Sequence, residues 1–212
     1  MIKFIGRLPN KCTIAFSGGV DSVAIADFLI RGRKEVKLAF FHHGTEASNL
    51  AEDFVKSFSL ARRVPLTIGR LLRARPKDLS EEEHWRNERY VFLDSFGEQV
   101  VTCHHLDDAV ETWIFTSLHG QGKLIPHSRG NVVRPFLLTP KTELISWCHR
   151  RNLTWCEDAS NSDVKHVRNL IRHRIVPEAL KVNPGLHTTI RKKYMNNCGV
   201  ESACEKSKNL PE

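Results

Sequence analysis

Ser17 to Ser22 read SGGVDS and lie between two apolar stretches of different kinds. Residues 12–16 (CTIAF) are typical of a buried strand, whereas residues 23–30 (VAIADFLI) are typical of a helix with one face on a sheet. Residues 17–22, called the glycine turn below, are therefore predicted to join a strand to a helix. Glycines let the backbone approach an anion closely, and the free N–H groups of the first helical turn point toward it. The pattern thus predicts a phosphate-binding turn.

Polar side chains of the glycine turn extend this prediction. Ser17 and Ser22 supply hydroxyl donors, and the Asp21 carboxylate would repel a phosphate unless a cation lay between them, which predicts Mg²⁺. The alternative is a tight turn in which Ser22 is the N-cap of the helix. No G-x-x-x-x-G-K-[ST] pattern occurs, because Gly122-Lys123 is followed by Leu124. A Walker-type kinase or GTPase is therefore excluded.

Length and composition limit the possible classes. The 212 residues allow one α/β domain, or a smaller domain with an appendage. No apolar stretch approaches the roughly 20 residues of a membrane helix, and residues 1–10 do not resemble a signal peptide. We therefore expect a cytoplasmic protein with no membrane contact. Six cysteines without a C-x-x-C pair argue against zinc ribbons and iron–sulfur ligation.

The net charge of +8 is unevenly distributed along the chain. Residues 1–119 carry 16 Lys and Arg against 16 Asp and Glu, whereas residues 120–212 carry 16 against 8. A solvated basic surface that only aids solubility is one interpretation. Beside a nucleotide site, the basic C-terminal portion is better explained as a surface for a polyanion such as RNA.

Apolar strands alternate with amphipathic segments along the first 119 residues. After the first strand and helix, strands are predicted at residues 36–41, 64–68 and 99–103, and helices at residues 49–63, 80–96 and 106–119. Alternation at this spacing produces right-handed crossovers and a parallel sheet. We therefore predict an α/β fold with a doubly wound parallel sheet, followed by a small, helical, basic C-terminal extension. Thr139 is predicted to cap a later helix, with Pro140 at its first position.

A second polar cluster, HHLDD at residues 104–108, follows the fourth strand and begins a helix. Ligands of open α/β sheets bind at the carboxyl ends of strands, where the strand order reverses. Asp108 or Asp107 is predicted to complete a Mg²⁺ site with Asp21, because carboxylates suit a hard cation better than they suit zinc. The alternative is that these acids only cap the helix. His104 and Asp108 lie four residues apart and are predicted to face one ligand.

Two arginine pairs are candidates for phosphate contacts. Arg86 and Arg89 share one face of the helix at residues 80–96. Arg168 and Arg172 lie beside the apolar stripe of a predicted continuous helix, which consists of Val164, Val167, Ile171 and Ile175. For both pairs the alternative is a solvated, salt-bridged helix face.

Together these motifs resemble the tRNA(Ile)-lysidine synthetase family, within the PP-loop ATP pyrophosphatase superfamily. The resemblance covers residues from about 12 to 184. It rests on SGGVDS at 17–22, HHG at 42–44, R-x-x-R-Y-x-x-L at 86–93, HHLDD-x-x-ET at 104–112, RPFLL at 134–138 and W-x-E-D-x-S-N-x-D-x-x-x-x-R-N-x-x-R at 155–172. SGGxDS marks the superfamily, whereas the last two motifs are specific to the family.

The resemblance implies an enzyme that uses ATP to adenylate the C2 oxygen of the wobble cytidine in an isoleucine tRNA with the anticodon CAU. The amine of free L-lysine then displaces AMP, and the products are lysidine, AMP and pyrophosphate. The implied ATP-binding residues are Ser17, Gly18, Gly19, Val20, Asp21 and Ser22. The implied catalytic residues are Asp21, His104 and Asp108, with Mg²⁺ on Asp21, Asp107 and Asp108. Substrate and tRNA contacts are expected for Arg86, Arg89, Glu111, Asp158, Asn161, Arg168, Asn169 and Arg172.

The same resemblance suggests how the chain is organised. We expect an ATP-binding α/β domain at 1–135, a basic helical completion of the catalytic domain at 136–195 that contacts tRNA, and a flexible tail at 196–212. Family members usually carry R-G-x-G-x-x-G-L where residues 119–125 read HGQGKLI. Many also continue into C-terminal domains that recognise the acceptor stem. We therefore expect a short form whose tRNA selection rests on the basic residues of 120–212 or on a homodimer, or is relaxed.

Two other functions fit parts of the pattern. A PP-loop tRNA 2-thiolase activates the same base position but needs cysteines for sulfur transfer or a cluster, and the absence of a C-x-x-C pair counts against it. A non-catalytic RNA-binding relic of the fold would have no reason to keep the acids that we predict to bind metal.

Overall fold

A six-stranded sheet forms the centre of the computed structural model, which describes residues 1–157 and 167–197. Its strands are β1 (Lys11–Ala15), β2 (Glu35–His42), β3 (Leu66–Arg70), β4 (Val100–Val101), β5 (Ser128–Arg129) and β6 (Val132–Val133). The strand order is β3-β2-β1-β4-β6-β5. All neighbouring strands are parallel except β5, which is antiparallel to β6. The sheet is thus a parallel sheet with one short antiparallel edge strand.

Helices cover the sheet on both faces. They are α1 (Val20–Arg31), α2 (Glu46–Arg62), α3 (Glu81–Asp94), α4 (Leu106–Leu118), α5 (Lys141–Arg150), α6 (Val167–Leu170), α7 (Val176–Val182) and α8 (Leu186–Asn197). A π-helical turn, Ile171–Ile175, joins α6 to α7. No helix in the described part of the chain is both long enough and apolar enough to span a membrane.

The predicted doubly wound topology is confirmed. The chain proceeds outward from β1 through β2 to β3, and then returns to place β4 on the other side of β1. The strand order therefore reverses between β1 and β4, which is where ligands bind in sheets of this kind.

The two faces of the sheet bury different side chains. Phe16, Phe28 and Phe40 belong to a core shared with α1, α2 and α5. Phe41, the next residue of β2, points to the opposite face and contacts Phe92 of α3, with 5.7 Å between ring centroids. Side chains alternate in this way because successive residues of a strand point to opposite faces of the sheet. Burial of each aromatic ring stabilises the fold by about 1.5–3 kcal/mol.

A buried carboxylate ties three helices together on the first face. Asp27 of α1 has no exposed surface. Its oxygens accept hydrogen bonds from Arg31 at 2.9 Å, from Arg62 of α2 at 2.6 Å and from the indole N–H of Trp147 of α5 at 3.0 Å. The charge is thus paired, which a buried carboxylate requires.

Two local predictions were wrong. Pro140 is the N-cap of α5 rather than its first residue, and the Thr139 hydroxyl instead accepts the backbone N–H of Lys3 at 2.9 Å. The helix expected to continue past Ile171 is interrupted by the π-helical turn, and Val167 of its apolar stripe is exposed. An apolar repeat does not distinguish an α-helix from one with a local π turn, since that insertion shifts the register by only one residue.

Candidate active site

The glycine turn and the HHLDD cluster lie beside each other at the carboxyl edge of the sheet. β1 leads into the glycine turn and β4 leads into HHLDD. These two strands are paired in parallel, with Thr13 opposite Val100 and Ile14 opposite Val101. Both polar clusters therefore emerge at the same edge and at the reversal of strand order.

Two constraints require glycine at position 18. Its φ of +82° lies in the left-handed region that L-residues with side chains avoid. A Cβ atom there would also lie 3.1 Å from Phe54 and 3.3 Å from Val55, both on α2. The backbone of the turn can therefore adopt this shape only with glycine.

The start of α1 leaves its N–H groups available. Gly19 is the N-cap and has no side chain that could cap the helix. The Ser22 hydroxyl donates to the Gly19 carbonyl at 2.9 Å, so the alternative prediction of Ser22 as the N-cap was wrong. Ser17 Oγ lies 3.3 Å from Ser22 Oγ, which places both hydroxyls in the turn. This arrangement suits an anion at the positive end of the helix dipole.

His105 joins the two polar clusters. Its buried Nε2 atom lies 3.5 Å from Asp21 Oδ2 and 3.5 Å from Asp108 Oδ2, and its Nδ1 atom lies 3.6 Å from Asp107 Oδ2. Since the Asp21 and Asp108 oxygens share one nitrogen neighbour, they are separated by no more than twice that distance. The three predicted metal ligands thus surround one imidazole, at what we call the acidic side of the site.

The carboxylates of the acidic side control its protonation. Burial acts to lower the pKa of His105, but Asp108, Asp107 and Asp21 outweigh it and raise this pKa to about 10. Burial acts to raise the pKa of Asp108, but His105 and Arg168 lower it to about 2. The neighbouring carboxylates therefore favour the protonated form of His105.

The acidic side fits a hard cation that is only partly held by protein. Asp21 Oδ1 is buried and has no hydrogen-bond partner within the described residues, so one carboxylate oxygen lacks a ligand. Across residues 1–157 and 167–197, no group of three or more His, Cys, Asp or Glu side chains is arranged to hold a metal by itself. Mg²⁺ is commonly bound by one or two carboxylates, with the remaining ligands from phosphate and water. Asp21 and Asp108 fit that pattern.

His104 faces a different environment, the basic side of the site. Its Nδ1 atom lies 2.9 Å from the Thr102 hydroxyl. Burial lowers the pKa of His104 to about 3, against the attraction of Asp108 and with the help of Arg134, Arg168 and Arg89. His104 is therefore a neutral imidazole near three guanidinium groups.

The predicted arginines divide between two arrangements. Arg86 and Arg89 lie over the Tyr90 ring, at 5.8 and 5.9 Å from its centroid, and Arg134 donates to the Tyr90 hydroxyl at 3.0 Å. Burial, together with Arg86, Arg168 and Arg134, lowers the pKa of Arg89. Arg89 thus reaches the basic side, whereas Arg86 is exposed.

Arg168 and Arg172 form an ion-pair network with α4. Arg172 donates twice to Glu111, at 2.6 and 3.0 Å, and Arg168 donates to the same carboxylate at 3.3 Å. Arg168 also lies 3.3 Å from Asp108 Oδ1. The network fixes α6 and the π-helical turn against the start of α4, so these arginines complete the wall of the site.

Sequence reasoning missed four side chains that line the site. His105 stood within the HHLDD motif but was not assigned a role there. Lys141 donates its backbone N–H to Asp107 at 2.7 Å, and its ammonium lies 3.9 Å from Asp21. His187 of α8 lies 3.3 Å from Asp107 Oδ1. The fourth is Arg134, which was noted only as part of RPFLL. Lys141 and His187 carry no local pattern, because only the packing of α5 and α8 brings them to the site.

Three further residues were predicted to contact the substrate or the tRNA. Asn169 is buried on α6. Asp158 and Asn161 lie outside the described residues. The roles assigned to all the predicted site residues stay predictions, because the geometry shows their positions and not their ligands.

Known proteins resemble the chain over most of its length. The model of a family described as "PP-loop domain" matches residues 3–179. The tRNA(Ile)-lysidine synthase of Vibrio parahaemolyticus is 31% identical over 199 residues, covering 86% of this chain and 45% of that protein. The protein of the same name from Nitrosomonas europaea is 32% identical over 202 residues, covering 87% and 44%. The chain thus spans less than half the length of these relatives.

A solved structure also aligns with the chain. The NH3-dependent NAD synthetase of Campylobacter jejuni has a TM-score of 0.48 and 12% identity, and the alignment covers 95% of this chain and 92% of that one. The family assignment does not depend on this structure. It depends on the family model, which matches residues 3–179 and so includes both the glycine turn and HHLDD. The chain belongs to the family of PP-loop domain proteins, which use ATP.

Proposed function

We propose that the chain is a tRNA(Ile)-lysidine synthetase. It adenylates the C2 oxygen of the wobble cytidine in a CAU-anticodon isoleucine tRNA and then joins free L-lysine to that carbon, releasing AMP. The relatives with this name support the proposal through similarity across about 86% of the chain. Because the chain spans less than half of their length, the specific substrate is part of the proposal.

One observation carries the proposal. Asp21, from the glycine turn, and Asp107 and Asp108, from the start of α4, all contact His105. Adenylation requires the phosphates of ATP and a divalent cation to meet at one place. Had the two clusters emerged at opposite edges of the sheet, no single MgATP could have reached both.

The two sides of the site suggest different roles in the reaction. The N–H groups of the glycine turn bind the departing pyrophosphate. Asp21 and Asp108 would hold Mg²⁺, which would offset the charge that develops on the pyrophosphate. The neutral His104 and the neighbouring Arg89 bind and orient the α-phosphate. Placing the cytidine oxygen in line with that phosphate supplies much of the rate gain.

Three of the four cysteines in the described part of the chain are unsuited to the sulfur transfer that the thiolase alternative requires. Burial raises the pKa of Cys12 and of Cys148 to about 11, and it also raises the pKa of Cys103. Cys103 and Cys148 donate to the backbone carbonyls of Ala15 and Val20, each at 3.7 Å. A buried thiol with a raised pKa is a poor nucleophile. These cysteines therefore act as core residues around the glycine turn.

Several parts of the proposal stay predictions. They are the homodimer, the cytoplasmic location and the division at residues 135 and 195. α5, which begins beyond the first of these boundaries, shares a core with α1 through Leu144 and Trp147.

A labelling assay tests the proposal. The protein is incubated with ATP, Mg²⁺, radiolabelled lysine and CAU-anticodon tRNA, and label is expected in the tRNA. Without lysine, label from α-³²P-ATP should accumulate on the tRNA as the adenylate. Asp21→Asn should abolish both signals, whereas Asp53→Asn, an exposed acid on α2, should change neither. The proposal is rejected if the wild-type protein transfers neither label.

A further inference from the structure

The loop that follows α4 has a fixed shape. The Thr116 hydroxyl accepts the Lys123 N–H at 2.8 Å and donates to the Lys123 carbonyl at 3.0 Å. Gly120 and Gly122 have φ values of +74° and +56°, so the chain reverses tightly there. Tyr194 of α8 then donates to the Ile125 carbonyl at 2.9 Å. The loop is therefore anchored to both α4 and α8.

A groove of about 690 Å³ lies between this loop and the last turns of α8. Its lining includes Lys123 and His127 from the loop, and Lys193, Tyr194 and Asn197 from α8. Residues 119–131 and residues 186–197 contain no Asp or Glu at all. Both walls of the groove therefore carry positive charge and no negative charge.

The cations of the groove lack internal partners. Lys123 and Lys193 are exposed, and neither ammonium forms an ion pair with any of the described residues. The Nε2 atom of His127, in the same lining, is buried and has no hydrogen-bond partner there. By contrast, the exposed Lys181 of α7 lies 2.8 Å from Glu178. The groove thus offers unneutralised donors in a defined geometry.

Two helices extend from the candidate active site to the groove. α4 carries Asp107 and Asp108 in its first turn and ends before Lys123. α8 carries His187, beside Asp107, in its first turn and continues past Lys193. Six residues of α-helix separate His187 from Lys193, which corresponds to roughly 9 Å. A polyanion bound at the acidic and basic sides can therefore extend along α4 and α8 into the groove.

We propose that the groove between the 119–127 loop and α8 binds the phosphodiester backbone of RNA. Two unpaired ammonium groups with no nearby carboxylate suit phosphate oxygens, and such contacts are independent of base sequence. The inference rests on the proposed function in one respect, namely that the substrate is an RNA. It names the surface that this RNA occupies outside the reacting site.

The test compares two double variants of the full chain with equal loss of charge. Lys123→Ala with Lys193→Ala removes both groove cations, whereas Lys181→Ala with Lys192→Ala removes exposed lysines of α7 and α8 that do not line the groove. tRNA binding is measured by fluorescence anisotropy over a series of salt concentrations. ATP binding and the thermal midpoint of each variant are measured in parallel.

The groove variant should bind tRNA roughly tenfold more weakly, and by the same factor for tRNAs with CAU or altered anticodons. The slope of log K against log salt should become shallower by about 1.5, because each lost phosphate contact contributes about 0.7–0.9. Lys123→Arg with Lys193→Arg should bind as the wild type does, and ATP binding should be unchanged in all variants.

Either of two results would overturn the inference. It fails if the groove variant keeps the wild-type slope, or if the control variant loses as much affinity. The labelling assay is independent of this measurement. A wild-type protein that makes no lysidine but shows the expected slope change would contradict the proposed function and support the groove. Lysidine formation without a slope change would support the proposed function and contradict RNA binding in the groove.

Discussion

Two neighbouring histidines lie in opposite electrostatic environments. His105 lies among three carboxylates, which raise its pKa to about 10, whereas His104 lies near three arginines and burial lowers its pKa to about 3. The side chains separate because His104 follows the end of β4, while His105 is the N-cap of α4. A single strand-to-helix junction therefore creates an acidic side and a basic side within two residues.

This separation suits a ligand that carries both signs of charge. A nucleotide phosphate with its bound cation needs carboxylates for the metal and cationic donors for the phosphate oxygens. Asp108 contacts both sides, since one of its oxygens faces His105 and the other faces Arg168. The comparison predicts that Asp108 has a larger effect on catalysis than Asp107, its neighbour in HHLDD.

The largest expected effect is on the rate of adenylation. Asp108→Asn should lower the rate of adenylate formation on the order of 10²- to 10³-fold, because it removes a preorganised charge from both sides of the site. Asp107→Asn should lower the same rate about tenfold, because Asp107 accepts the Lys141 N–H and contacts His187 in a positioning role. ATP–pyrophosphate exchange in the presence of tRNA measures both rates. The reverse order would contradict the assignment of Asp108.

The next effect compares the two histidines directly. His105→Gln leaves three carboxylates without their cation and should lower the free energy of unfolding by about 3 kcal/mol. His104→Gln should lower the free energy of unfolding by about 1 kcal/mol, because it exchanges one neutral hydrogen-bonding group for another. Urea denaturation measures both values, and added Mg²⁺ should stabilise His105→Gln more than the wild type. Greater destabilisation by His104→Gln would show that the acidic side needs no cation.

A smaller effect concerns the wall formed by α6 and the π-helical turn. Glu111 is buried and bonds Arg172 twice, so a double-mutant cycle with Glu111→Ala and Arg172→Ala should give a coupling energy of roughly 1.5–3 kcal/mol. The exposed pair of Glu178 and Lys181 provides a matched control, for which about 0–0.5 kcal/mol is expected. Equal coupling in both pairs would mean that burial of the network adds nothing.

The last effect is a dependence of stability on pH. The pKa of His104 is lowered in the folded chain, so below pH 6.5 the unfolded chain binds a proton that the folded chain does not. The free energy of unfolding should then fall by up to about 1.4 kcal/mol per pH unit as the pH decreases from 6.5 toward 3. His104→Asn should lack this contribution. Chemical denaturation at pH 7, 6 and 5 compares the two slopes, and parallel slopes would contradict the burial of a neutral His104.

Local patterns were sufficient to predict the fold and the meeting of the two polar clusters. The strand, the two glycines and the helix after them determine the glycine turn, and alternation of strands and helices determines a parallel sheet. Parallel strands then bring Asp21 and Asp108 to one edge without further information. These predictions succeed because each depends on residues within about 15 positions or on a general rule of topology.

The electrostatic division of the site could not be predicted in the same way. His104 and His105 are the same residue type in one motif, and only the tertiary structure shows which of them faces the arginines. Arg168 and Arg172 were predicted to contact phosphate, yet they pair with Glu111 and Asp108 from a helix about 60 residues away in sequence. Pairing at that distance leaves no periodic pattern in the sequence.

The π-helical turn at Ile171–Ile175 has a consequence for α7, the helix that continues from it. A π turn contains one residue more than an α turn, and one residue corresponds to a rotation of about 100° around the helix axis. Deleting a residue there would restore a regular helix and shift the rotational phase of α7 by that angle. Ala179 and Leu180, which pack against the core that α7 shares with α4, would then face in other directions. The single extra residue thus decides which side of α7 is buried.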